Sequence, residues 1–253
     1  MTVKKVNMKN FFQPIFIFSV VIFLSAGCTK IKKPEAQIER ENWIAGFKDS
    51  VEYYQTRYKE IESRLEHINE EVKNSLNSFE LINNPREVTG YYLLKGWSKK
   101  LPFTSTAIYA RISQEQKIEL IATLAGGTFN RIGVGVENID MFSETVPHDQ
   151  AFNYRHQNYN TVFFSGGKAD SIAEYISRNR DKKVTLEFLE NSVKKKFIIP
   201  EDEKNMISET WNLYEEQHQS TTLQKELWIC SRKIDTFRRY MEQQQISSQE
   251  DSK

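Results

Sequence analysis

Hydrophobic residues recur at helical spacing near the amino end of the chain. Apolar positions follow one another at alternating intervals of three and four residues, separated mostly by polar or charged positions: Ile44, Phe47, Val51, Tyr54, Tyr58, Ile61, Leu65, Ile68 and Val72. This spacing is typical of a heptad repeat, in which one stripe of a helix is apolar. It predicts a helical arm over residues 36–82, which ends before Pro85.

A second apolar stripe lies near the carboxyl end. Pro200 and the acidic residues after it indicate a helix start. The stripe changes register near Thr221 and consists of Ile207, Trp211, Tyr214, His218, Leu223, Leu227, Cys230, Ile234, Phe237 and Met241. It predicts a helical arm over residues 201–245, followed by a disordered tail over 246–253.

Each apolar stripe needs a partner, because an isolated amphipathic helix gains most of its stability from packing. The two arms have similar lengths and lie at opposite ends of the chain. We therefore expect them to pair as an antiparallel coiled-coil-like stalk. The alternative is a homodimer in which the same helical seams contact a second copy of the chain.

The middle of the chain, residues 86–199, follows a different pattern. It contains short runs rich in β-branched and aromatic residues, which predict strands over 88–94, 106–112, 117–124, 129–136, 159–164, 184–189 and 194–199. Gly126-Gly127 and residues 190–193 are typical of hairpin turns. One short helix is predicted over 168–178, and a long polar loop over 138–158. The fold class is therefore α+β, with a small β-rich head that is sandwich-like or a sheet with one helix.

Composition narrows the function classes. The 253 residues include 35 Lys and Arg against 34 Asp and Glu, for a net charge of +1. This balance argues against a protein that chiefly binds nucleic acid. The mean hydropathy of −0.61 excludes a polytopic membrane protein.

The first 28 residues have the three-part pattern of a secretory signal. Three lysines form a positive region, residues 11–24 are mostly apolar, and residues 25–27 are small and lead directly to Cys28. The sequence Leu24-Ser25-Ala26-Gly27-Cys28 resembles the lipobox of bacterial lipoproteins. The resemblance covers about a tenth of the chain, and it departs from the commonest form because Ser25 occupies the position usually held by an aliphatic residue.

The resemblance implies that residues 1–27 are a signal peptide and that Cys28 becomes the lipidated amino terminus, carrying acyl chains such as palmitate. Residues 28–35 would then be a linker, and the chain would contact membrane lipid through Cys28. In lipoproteins of Gram-negative bacteria an Asp directly after the Cys can hold the protein at the inner membrane, and in Bacteroidetes an acidic run there can direct it to the cell surface. This chain has Thr29 and Lys30 there, which favours the outer membrane, facing the periplasm.

Cysteine and histidine usage predicts neither a disulfide nor a metal site. Cys28 and Cys230 are the only cysteines, so acylation of Cys28 leaves Cys230 without a partner in the same chain. Cys230 lies in the apolar stripe, where a buried structural thiol is expected. The four histidines are scattered without zinc-type spacing, and no cofactor motif is present.

Several residues of the head are candidates for contact with a ligand or partner. Trp97 and Tyr154 belong to two aromatic groups, some of which strand alternation would place outward. His148 and His156 lie in the polar loop. Lys168 belongs to a Gly-rich turn that opens a helix, an arrangement that can bind an anion.

The pattern as a whole predicts a non-enzymatic lipoprotein of the cell envelope, which binds another envelope protein and presents its head on a helical stalk. The sequence contains no Gly-x-Ser-x-Gly elbow, the motif that would support a serine hydrolase. The alternatives are an envelope hydrolase that uses the 138–158 loop, and an adaptor subunit of a transport assembly.

Overall fold

The computed structural model describes residues 35–83, 89–147, 154–156, 158–190 and 193–250. The predicted signal peptide, Cys28 and all of the linker except Glu35 lie outside these residues. The chain divides into two compact units, Met1–Asn42 and Trp43–Lys253. The described part of the first unit is helical, and the sheets and the remaining helices belong to the second.

The described residues form three α-helices, one short 3-10 helix and two antiparallel sheets. The helices are α1 (Glu35–Leu76), α2 (Gly167–Arg178) and α3 (Glu201–Glu250). The strands are β1 (Phe79–Ile82), β2 (Tyr91–Leu94), β3 (Ala107–Ser113), β4 (Ile118–Ala125), β5 (Arg131–Gly135), β6 (Met141–Phe142), β7 (Tyr154–His156), β8 (Tyr159–Ser165), β9 (Thr185–Glu190) and β10 (Val193–Ile198). The mixed helix-and-sheet composition predicted from the sequence is confirmed.

The first arm ends earlier than predicted. α1 stops at Leu76, and residues 79–82 form β1 instead of the last turn of the predicted 36–82 helix. β1 pairs with β2, with Phe79 opposite Leu94. Phe79 is buried against Ile112 and Leu213. Sheet pairing and burial of Phe79 therefore outweigh the helical spacing there, and the β-rich region begins at residue 79 rather than 86.

The second arm continues further than predicted. α3 runs from Glu201 to Glu250, so residues 246–250 of the predicted disordered tail are helical. No Gly or Pro follows Pro200 in the sequence, and Gln and Glu are compatible with a helix interior. Residues 251–253 lie outside the described part of the chain.

The strands form a six-stranded sheet in the order β1-β2-β3-β4-β8-β7 and a four-stranded sheet in the order β10-β9-β5-β6. The hairpin predicted at residues 190–193 is confirmed by the pairing of Glu190 with Val193. The hairpin predicted at Gly126-Gly127 is wrong. β4 pairs with β3 and β8, while β5 belongs to the other sheet, so the chain crosses between sheets at these glycines.

The predicted 138–158 loop is not wholly irregular. Its described residues include β6, which pairs with β5, and β7, which pairs with β8. These strands have two and three residues. They are too short to produce an alternating sequence pattern, so they depend on the longer neighbouring strands.

The core lies between the two sheets and α2. Phe129 contacts Phe164 of the six-stranded sheet and Phe188 of the four-stranded sheet, with ring centroids 6.3 and 4.8 Å apart. Ile172 and Ile176 on one face of α2 are fully buried in the same cluster. Together these side chains join the sheets and fix the position of α2.

The amino-terminal turns of α3 cover part of the edge of β3. β2 pairs only with the last residues of β3. Further along that strand, the Ile108 N–H donates to Glu203 Oε2 at 2.9 Å and the Ala110 N–H donates to Met206 Sδ at 3.4 Å. Backbone donors that lack a neighbouring strand are thus satisfied by the helix.

Side chains of α1 and α3 are in contact within the second unit. Ile61 is buried with Leu223 and Cys230. Five partly buried side chains pack against this cluster: Tyr54, Tyr58, Leu65, Ile68 and Leu227. These residues belong to the two predicted stripes. Cys230 is free and buried, as expected for a structural thiol.

A candidate binding cleft between α2 and α3

A cleft of about 230 Å³ opens where α2 meets α3. We call it the α2–α3 cleft, and its lining residues are Asp170, Trp211, Tyr214, Glu215, His218 and Gln219. The five residues from α3 are spaced so that they share one face of the helix. Asp170 comes from the first turn of α2. The cleft therefore depends on two helices that are distant in sequence.

The turn before α2 positions Asp170. β8 ends at Ser165, and Gly166 adopts a φ of +89°, a conformation that favours glycine. The Gly166 carbonyl oxygen accepts hydrogen bonds from the N–H groups of Ala169 and Asp170 at 2.8 and 3.1 Å. This turn directs the first turn of α2, and with it the Asp170 side chain, towards α3.

Aromatic rings line the inner part of the cleft. The Trp211 and Tyr214 rings have centroids 5.3 Å apart, and His218 stacks on Tyr214 at 6.2 Å. Trp211 is buried and Tyr214 is half-buried, whereas Glu215, His218 and Gln219 are exposed. The cleft thus has an apolar floor and a polar rim.

The carboxylate of Asp170 lies half-buried at the cleft. Tyr214 Oη donates a hydrogen bond to Asp170 Oδ2 at 3.2 Å. Burial raises the pKa of Asp170, and the Tyr214 hydrogen bond and nearby His218 partly oppose this. Burial and the Asp170 charge raise the pKa of Tyr214. No cationic side chain among the described residues forms an ion pair with Asp170 or Glu215.

Lys168 lies near the cleft without lining it. Its side chain is exposed, and Nζ is 3.0 Å from Glu144 Oε1. Lys168 and Asp170 are two residues apart on α2, a spacing at which side chains do not face each other. Lys168 therefore already has an acidic partner. The anion site predicted from the sequence at this turn stays a prediction.

The other residues predicted to form a site lie in separate elements or outside the described residues. Trp97 is 7% exposed and packs against Phe103, so it contributes to the core, and its contact with a partner stays a prediction. Tyr154 and His156 belong to β7, whose backbone pairs with β8. His148 lies outside the described residues. Trp97 does not line the α2–α3 cleft.

Sequence reasoning missed Asp170, Tyr214 and His218 as members of one site. The sequence places Trp211, Tyr214 and His218 on a stripe of the second arm, and a shift of register follows near Thr221. The structure gives the reason for that shift. Before it, this stripe faces α2, and after it the apolar positions of α3 face α1.

Tyr91 of β2 and Phe163 of β8 meet at Arg111 of β3 in the six-stranded sheet. The Arg111 guanidinium lies 4.0 Å from the Tyr91 ring centroid and 5.2 Å from that of Phe163. Arg111 Nε is 2.6 Å from Glu119 Oε2. The charge of Arg111, which is buried, is compensated by Glu119, so this cluster is structural.

A larger groove of about 350 Å³ lies between α1 and α3, with Tyr58 and Ile234 in its lining. Lys59, Asp235 and Arg238 also line it. Both signs of charge are present, so the groove has no clear preference for a charged ligand.

The described residues also bear on two further features, a metal site and a membrane-spanning helix. No cluster of three His, Cys, Asp or Glu side chains in them could hold a metal ion. No helix in the same part of the chain is both long and apolar enough to cross a membrane.

Comparison with known proteins gives no relatives. No family model matches the chain, and no curated protein and no solved structure is detectably similar to it.

Proposed function

We propose that the protein is a lipid-anchored, non-enzymatic module of the bacterial cell envelope that binds another envelope protein through the α2–α3 cleft. The observation that carries the binding role is the composition of the cleft. Aromatic rings form its floor, and Asp170 and Glu215 lie at its surface without a lysine or arginine in an ion pair with either of them among the described residues. Apolar surface combined with a few convergent polar groups is typical of binding sites.

The anchoring role rests on the lipobox-like sequence that ends at Cys28. Two or three acyl chains anchor a protein stably, since each buried methylene contributes about 0.8 kcal/mol. The absence of acidic residues directly after Cys28 supports placement at the outer membrane, facing the periplasm.

The proposal includes an antiparallel pairing of α1 with α3 that presents the head as a stalk. Three contacts support it. Phe47 meets Phe237 with ring centroids 5.9 Å apart, Arg57 Nη2 lies 3.3 Å from Glu226 Oε2, and Ser220 Oγ donates to Asn69 Oδ1 at 2.7 Å. The residue numbers rise along α1 as they fall along α3, which is the order that antiparallel helices produce.

Lipid attachment is tested by growing cells with radiolabelled palmitate and purifying the full-length protein. Cys28→Ala is expected to abolish labelling, while Cys230→Ala, which alters the other cysteine, keeps it. Label retained by Cys28→Ala would contradict the anchoring proposal.

Binding through the cleft is tested by photo-crosslinking in intact envelopes. A benzophenone amino acid at Gln219, on the exposed rim of the cleft, is expected to capture a defined envelope protein. The same probe at Glu209, an exposed α3 position that does not line the cleft, provides the control. Equal capture at both positions, or none at residue 219, would overturn this part of the proposal.

A further inference from the structure

We infer that the α2–α3 cleft accepts the protonated side chain of a lysine or arginine presented by the partner protein. This inference rests on the proposed binding role and names the chemistry of the contact. It follows from the charge, the aromatic lining and the size of the cleft.

The charge of the cleft lining favours a cationic ligand. Asp170 and Glu215 both line the cleft. The nearest lysine in sequence, Lys168, is paired with Glu144 and does not share the Asp170 face of α2. With the His218 imidazole neutral, the lining carries two carboxylates and no cation, so an anionic ligand would be repelled while a cation would be attracted.

Burial of Asp170 makes this attraction stronger. A half-buried carboxylate has lost part of its hydration, and a cation held beside it would compensate that loss. Tyr214 donates to one carboxylate oxygen, Oδ2. A carboxylate has about four acceptor sites on its two oxygens, so it retains capacity for an ammonium or guanidinium donor.

Aromatic rings provide the second recognition element. The faces of indole and phenol rings attract ammonium and guanidinium groups that lie within about 6 Å of the ring centroid. Trp211 and Tyr214 lie side by side on the floor of the cleft. His218 stacks on the Tyr214 ring, so a basic side chain can place its aliphatic stem against the ring surface that the cleft leaves exposed, and its charge at Asp170.

The size of the cleft favours one side chain over a larger ligand. Pockets for drug-sized molecules usually have volumes of about 300–1,000 Å³, and this cleft has about 230 Å³. A single lysine or arginine side chain fits this scale.

The inference is tested with the full-length protein in detergent micelles, labelled with 5-fluorotryptophan. The four tryptophans give four fluorine resonances, and Trp211→Phe identifies that of Trp211. The probes are Nα-acetyl-lysine methylamide and Nα-acetyl-arginine methylamide, with neutral Nα-acetyl-norleucine methylamide as the control. Both basic probes are expected to shift the Trp211 resonance, while Trp43, Trp97 and Trp228, which do not line the cleft, stay unchanged.

Variants then separate charge from shape. Asp170→Asn keeps the shape of the side chain and is expected to weaken binding of the lysine probe about tenfold or more, as for loss of a charged hydrogen-bond acceptor. Glu209→Gln removes an exposed charge of the same helix outside the cleft and is expected to leave binding unchanged. An unaltered Trp97 resonance, from a buried core residue, reports that each variant is folded.

Three results would overturn the inference. The norleucine probe could shift the Trp211 resonance as much as the lysine probe does, all probes could leave it unchanged, or Asp170→Asn could bind as well as the unmodified protein. These failures are distinct from failure of the proposed function. Crosslinking from residue 219 without binding of the basic probes would leave the cleft as the binding site and reject only the cationic ligand.

Discussion

Glu203 connects α3 to the edge of the six-stranded sheet through its carboxylate, which accepts the Ile108 N–H. Burial raises its pKa to about 7, and Asp202 adds to the rise, while the Ile108 hydrogen bond and Lys100 oppose it. The folded pKa lies above the unfolded value of 4.5. The stabilising contribution of the protonated form is therefore complete below about pH 4.5 and is lost as pH rises through about 7.

The raised pKa of Glu203 predicts that the free energy of unfolding falls as pH rises. Urea unfolding of the unmodified protein and of Glu203→Gln is measured at pH 5, 6, 7 and 8. Gln keeps an oxygen that can accept the Ile108 N–H but does not titrate. Relative to the variant, the unmodified protein is expected to lose roughly 3 kcal/mol or less of unfolding free energy as pH rises. Parallel pH profiles would show that Glu203 does not titrate in this range.

Particular residues show what the sequence could predict. The stripe from Ile44 to Val72 correctly identifies the face of α1 that is least exposed, because a helical period depends only on nearby positions. Asp170 and Tyr214 form a hydrogen bond across 44 residues. No local pattern records such a contact, so the cleft becomes visible only when α2 and α3 are placed together.

The helices and long strands could be located from sequence, whereas the sheet to which each strand belongs could not. β4 and β5 are neighbours in the chain, and the glycines between them suit a tight turn. β5 instead pairs with β9, and its Ile132 lies opposite Phe188. Burial of side chains such as Phe129 between the sheets determines which strand β5 pairs with, and this burial depends on residues distant in sequence.

Contact between α1 and α3 can be tested by comparing two isoleucines. Ile61 on α1 is 1% exposed and packs with Leu223 and Cys230, whereas Ile229 on α3 is 48% exposed. Ile61→Ala is expected to reduce the unfolding free energy by about 2–4 kcal/mol, because it leaves a cavity. Ile229→Ala is expected to change it by less than about 0.5 kcal/mol.

Equilibrium urea unfolding of both variants provides the measurement. Equal effects of the two substitutions would mean that α1 does not rely on α3 for burial. A large effect of Ile61→Ala alone supports packing of the two helices without depending on any assumption about the partner.

At the scale of the whole molecule, the composition can be explained by its parts. Removal of residues 1–27 takes away three lysines and no acidic residue, so the net charge changes from +1 to −2. The strongly apolar stretch of the sequence would thus be discarded and replaced by lipid. The long helices are rich in charge, and apart from Met206, Ile207 and Trp211 their buried residues lie outside the main core cluster, which is consistent with the modest apolar fraction of 39%.

The length of the two arms predicts that the distance between the membrane anchor and the head matters for partner binding. Residues 48–54 of α1 and 230–236 of α3 lie between the Phe47–Phe237 and Arg57–Glu226 contacts. Deleting both heptads preserves the apolar repeat of each helix and shortens each by about 10 Å. Crosslinking from residue 219 is expected to fall severalfold, while binding of the lysine probe stays unchanged because the cleft is not altered. Undiminished crosslinking by a folded double deletion would show that the head acts independently of arm length.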